Sequence, residues 1–142
     1  MRVIKLTRLT FFILAITSLI GVSWAQEKKP EDLYKSVLPS VMTLNVDKRN
    51  GATNIGTAFL VSKEGLAITA WHVVSNAKRV IARFSSGEEF DVSGIVDKDE
   101  RRDVALIRVK VFGKQTLSFT KTEPAVGSKV YVIGSPKGFE FS

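Results

Sequence analysis

GTAFLVSKEGLAITAWHVV, residues 56–74, is the stretch on which the fold turns. It begins within an almost continuously apolar segment, 55–62, that reads as a strand. Lys63, Glu64 and Gly65 then supply a tight turn, and 66–69 runs back as a second strand, so the stretch opens as a hairpin. It closes on His72, the single histidine among 142 residues, set beside Val73 and Val74.

Short β-like segments continue on both sides of this hairpin. Residues 41–47 form a strand candidate, and 47–54 a polar loop holding Asn50-Gly51. Residues 78–84 alternate, with Val80, Ala82 and Phe84 on one face and Arg79, Ile81 and Arg83 on the other. Ser85-Ser86-Gly87-Glu88 turns the chain into 90–96, where the alternation changes phase at Gly94 and marks a bulge. Residues 97–103 read DKDERRD, a mixed-charge run of the kind that forms a solvated loop. From Asp103 the chain enters 104–111, with Ala105, Ile107, Val109 and Val111 opposed to Arg108 and Lys110. Residues 126–133 are the last strand candidate and run into the turn Gly134-Ser135-Pro136-Lys137-Gly138. Strands broken by turns about every ten residues predict an all-β barrel or sandwich. One short helix precedes them. It opens at Pro30-Glu31-Asp32, carries Leu33, Tyr34, Val37 and Leu38 as an i, i+4 stripe, and stops at Pro39.

The N-terminus has a different character. Arg2, Lys5 and Arg8 precede an apolar run, 9–22, and Ser23-Trp24-Ala25 places small residues where a signal peptidase reads. The run is shorter than the ~20 residues that span a bilayer, so 1–25 reads as a cleaved export signal. The remaining chain of 117 residues carries 18 Lys and Arg against 14 Asp and Glu, a net charge of +4. These charges are scattered and mixed in sign, which argues against a nucleic-acid groove. With no cysteine and one histidine, neither disulfides nor a thiol nucleophile is available, and a structural zinc site is not expected. The organisation is then a signal peptide, 1–25, and a linker and short helix, 26–39, ahead of the β-rich remainder.

His72 stands where a strand ends and the chain must turn, a position that can hold a side chain firmly and leave it accessible. Imidazole titrates near neutral pH and can accept and return a proton, provided another group fixes its tautomer. Asp103 suits that task best among the 14 acids, because it leads directly into an apolar strand and can be drawn inward. Both residues also have plain readings, His72 as a hydrogen-bonded packing residue and Asp103 as the end of a loop.

Taken together, residues 56–74, DVALIRV (103–109) and VGSKVYVIGSPKG (126–138) resemble the trypsin-like serine peptidases of the HtrA/Deg type. The resemblance covers about 33–138. It implies a six-stranded Greek-key barrel, the first half of a double-barrel fold, with the second barrel truncated. It divides the β-rich remainder into a first β-barrel, 40–124, and the start of a second barrel, 125–142. It makes His72 the general base and Asp103 the residue that orients it. Ala58, where glycine is commoner, and Trp71, a bulky neighbour of His72, depart from the pattern near the hairpin.

The nucleophile segment of that family, G-[ND]-S-G-G, does not occur in these residues. Ser135 matches a structural turn, Ser142 lacks a glycine frame, and Ser85 and Ser86 read as turn residues. The expectation is a fragment of an exported serine endopeptidase, periplasmic or secreted, acting on protein or peptide substrates without a cofactor. Its serine lies beyond residue 142, so the 142-residue chain alone is expected to be inactive. The alternative is an inactive envelope module that binds peptides along strand edges. Residues from 125 onward are expected to be poorly packed and aggregation-prone.

Overall fold

The computed structural model describes residues 29–134. The signal segment 1–25, the first residues of the linker, Ser135 and Ser142 lie outside the described residues. Helix α1, Pro30–Val37, starts on proline with Glu31 and Asp32 in its first turn, where acids complement the helix dipole. A 3-10 turn, Leu38–Ser40, delivers the chain into β1, Val41–Lys48. Then come β2, Thr53–Leu60; β3, Leu66–Ala70; a one-turn helix α2, Trp71–Val74; β4, Ala77–Phe84; β5, Glu89–Asp99; and β6, Val104–Val109.

The six strands close into an antiparallel barrel in the order β1-β2-β3-β6-β5-β4, with β4 returning to β1. This is the all-β barrel that the alternation predicts. Inward positions follow the period of two: Val80, Ala82 and Phe84 from β4, and Ala105, Ile107 and Val109 from β6, meet Met42, Leu44 and Val46 from β1. Gly65 makes the β2–β3 turn possible. It sits at φ +85°, and a Cβ there would lie 2.2 Å from the Val109 carbonyl oxygen.

Three boundaries differ from the sequence reading. The polar loop at 47–54 shrinks to four residues, because Asp47 pairs with Thr53 at the head of the β1–β2 hairpin. Strand β6 ends at Val109, although Val111 remains buried. The charged run is half strand: Asp97, Lys98 and Asp99 pair with Leu106, Ala105 and Val104, leaving only residues 100–103 as a turn. Ladder pairing uses backbone groups, so side chains facing water need not be apolar. Two register shifts, Val92/Gly94 and Ile95/Asp97, bend β5; the first is the bulge expected at Gly94.

Residues 126–133 form no strand. A strand is defined by its ladder, and none of the six barrel strands pairs with this segment. Val126, Val130 and Val132 are accordingly exposed, in line with the loose packing expected there.

Candidate active site

The site is built where β3 gives way to α2. Ala70 is still extended, and the next four residues wind into one helical turn. Val73 and Val74 enter the core, while His72 stays on the outside with most of its side chain, 69%, in water. The two valines beside the histidine are therefore the plug that fixes it. Gly56 on β2 makes room for that plug: a Cβ there would lie 2.4 Å from Cγ1 of Val73.

So short a helix cannot satisfy its own terminal carbonyls. Lys48, at the end of β1, reaches across and its ammonium donates to the carbonyl oxygens of His72 at 3.1 Å and Ser75 at 2.6 Å. A cation at a helix C-terminus is favourable on electrostatic grounds as well. Asn76 then turns the chain through φ +57° into β4, its carbonyl accepting from the Arg49 N–H.

Asp103 arrives from the opposite side, at the end of the β5–β6 turn. Arg102 is held to the Asp99 carboxylate through its backbone N–H and its guanidinium, both at 3.0 Å. Asp103 itself adopts φ +56°, a region that aspartate tolerates better than most residues. Its carbonyl accepts the Trp71 N–H at 3.1 Å, continuing the β3–β6 ladder by one residue.

Its carboxylate makes two contacts with one residue: Oδ1 accepts the backbone N–H of His72 at 2.8 Å, and Oδ2 lies 2.6 Å from Nδ1 of the same imidazole. The bond to the His72 ring, followed by the bond from its main-chain N–H, holds the Asp103 carboxyl below the usual carboxylate range. An ionised Asp103 can only accept, so the neutral ring carries its proton on Nδ1 and keeps the Nε2 lone pair free to take another. The carboxylate is not drawn inward as the sequence reading has it. Nearly half of its side chain is exposed, 47%, because the left-handed turn places it on the barrel rim.

The sequence reading brings His72 and Asp103 together correctly across 31 positions. It misses Lys48, which looks like one more polar residue beside a loop, and the role of Gly56, whose partner Val73 is close only in space. Trp71, singled out as bulky, lies half-buried against the core with the Lys98 ammonium 4.3 Å from its ring centroid. Ser85 and Ser86 occupy the β4–β5 turn, where the Ser86 hydroxyl donates to Glu88, away from the imidazole. Among the described residues no cluster of His, Asp and Glu is arranged to hold a metal ion.

Residues 56–142 match the trypsin-like peptidase domain family. The chain belongs to that family. Within the trypsin-like peptidases its similarity is to the HtrA type. A probable periplasmic serine endoprotease, DegP-like, from Ectopseudomonas mendocina is 32% identical over 112 residues, covering 78% of this chain and 23% of the relative. The chain thus spans about a quarter of that relative's length. The active form of the Rv3671c protease from M. tuberculosis superposes with a TM-score of 0.69 at 26% identity, over 76% of this chain and 47% of that one. The serine endoprotease from Yersinia pestis gives a TM-score of 0.73 at 18% identity over 82% and 42%, a likeness of fold alone.

Proposed function

We propose that this chain carries the base-bearing half of an exported serine endopeptidase active site, with His72 as general base and Asp103 as the residue that orients it. The observation that carries the reading is the 2.6 Å contact between His72 Nδ1 and Asp103 Oδ2, locked by the second bond from the His72 main chain. A hydrogen-bonded packing histidine would not need a carboxylate on both its ring and its backbone. In this reading the serine belongs to the second barrel of the double-barrel fold, and residues 1–142 hold no G-x-S-G-G segment. The names of the periplasmic relatives and the basic, apolar leader both support export.

In the reaction, the serine hydroxyl proton passes to Nε2 of His72 as its oxygen attacks the peptide carbonyl carbon. Asp103 stabilises the imidazolium. His72 then returns the proton to the leaving amine nitrogen, and water repeats the cycle on the acyl-enzyme. Protein or peptide substrates follow from this chemistry, and hydrolysis requires no cofactor.

The test is cleavage of unfolded casein by the protein as the cell makes it. His72→Ala and Asp103→Asn should each lower kcat by about 10²–10⁴-fold, with KM little changed. The 142-residue chain alone should show no labelling by a fluorophosphonate. Undiminished casein turnover in the His72→Ala variant would falsify the assignment.

A further inference from the structure

The seam between the two long strands β4 and β5 is only partly sewn. Strands β4 and β5 pair at three positions, Ile81 with Asp91, Ala82 with Phe90 and Arg83 with Glu89. Beyond these the strands diverge. Residues 77–80 stay with β1, and residues 92–99 stay with β6, with no ladder joining them to each other. A cavity of about 350 Å³ lies in the gap, within the roughly 300–1,000 Å³ range of ligand sites.

Three properties of this cleft point to the same class of ligand. Each wall is a strand whose second edge is unused, so its outward backbone donors and acceptors are open to another extended chain. The floor is apolar: Val74, Val80 and Ile107 are buried beneath it. The rim is basic, with Arg49, Lys78 and Arg79 among the lining residues and no acid among them. Arg79 has Asp91 at 3.7 Å, whereas Arg49 and Lys78 are exposed cations with side chains uncommitted among the described residues. Gly94 leaves the β5 wall bare of side chain, as where a backbone must approach closely.

We infer that the cleft between residues 77–80 of β4 and residues 92–95 of β5 binds a short extended peptide of alternating apolar and acidic residues as an added strand. Side chains of an extended chain alternate faces, so apolar ones enter the cleft while acidic ones meet Arg49 and Lys78 at the rim. At about 350 Å³ the cleft accommodates two or three residues of such a peptide. The binding is independent of His72 and of any peptidase chemistry.

The experiment titrates the ¹⁵N-labelled protein with a blocked heptapeptide of alternating glutamate and valine, followed by amide chemical shifts. Saturable shifts should concentrate at Lys78, Val80, Ser93 and Gly94. They should be absent with the lysine–valine peptide of the same pattern. Arg49→Glu combined with Lys78→Glu changes two exposed side chains and should preserve the dispersed spectrum. It should weaken binding about tenfold or more, equivalent to about 1.4 kcal/mol. The inference is overturned by equal binding of the lysine peptide, by affinity unchanged in the double variant, or by shifts confined to other surfaces. Concentration-dependent shifts in the cleft without peptide would overturn it too, in favour of a second copy of the chain as occupant.

Discussion

Asp103 couples the site to pH. Its carboxyl lies below the usual range because the charged form accepts from the His72 ring and main chain. A carboxylate lowered on folding adds stability that is complete above its unfolded value, about 3.9, and is lost as pH falls through the folded value. The stability difference between the natural protein and Asp103→Asn should therefore shrink as pH falls below about 4, measured by urea unfolding at stepped pH. A difference that grows below about pH 4 would contradict this sign. Lys48 acts on the same turn from behind. Lys48→Met leaves the carbonyls of His72 and Ser75 without their ammonium donor. The expected cost is about 1 kcal/mol, with faster amide exchange at Ser75, whose N–H is bonded to the Trp71 carbonyl. Lys48→Arg should recover most of both.

Among the elements, α2 is the one whose placement depends wholly on contacts with its neighbours. It is four residues long, far too short to be stable by itself, and is held by two buried valines, the Lys48 cap and the Trp71 link to Asp103. Gly56→Ala should disturb this placement selectively, since the added methyl would meet Val73 at 2.4 Å. Overpacking of this kind costs typically about 1–3 kcal/mol. The consequence to measure is at the far side of the helix. As the only imidazole, His72 gives one set of ring signals, and its hydrogen-bonded Nδ1 proton should weaken or vanish in Gly56→Ala. An unaltered ring proton would show that β2 can absorb the methyl without moving α2.

For the molecule as a whole, closure of the barrel sets a gradient of local stability. Strand β1 pairs at seven positions with β2 and at seven with β4, whereas the β4–β5 seam has three. Hydrogen exchange should rank them in that order, with β1 most protected and residues 77–80 and 92–95 opening first. Residues 126–133, which join no strand ladder, should exchange far faster than β2. Protection there equal to that of β2 would mean that this segment has found a partner strand.

The sequence by itself determined the barrel class and singled out the two residues, His72 and Asp103, that the structure brings into contact. Alternation at 78–84 and 104–111 has a period that only a half-buried strand explains, and a side chain's face follows from its position in that period. Asp103 was legible as the acid that enters an apolar strand, and His72 as the lone imidazole at a strand end. Tertiary structure decided the rest. The length of β5 was hidden because backbone pairing is indifferent to the outward charges of Asp97, Lys98 and Asp99. Residues 126–133 look like a strand but are not one here, since a strand needs a partner and none of the six barrel strands pairs with them. Lys48 and Gly56 act on α2 through contacts made across the barrel, at sequence separations of 24 and 17, and no local pattern encodes such contacts. The half-exposed setting of Asp103 follows from its left-handed turn, a backbone state that its neighbours on β3 and β5 impose.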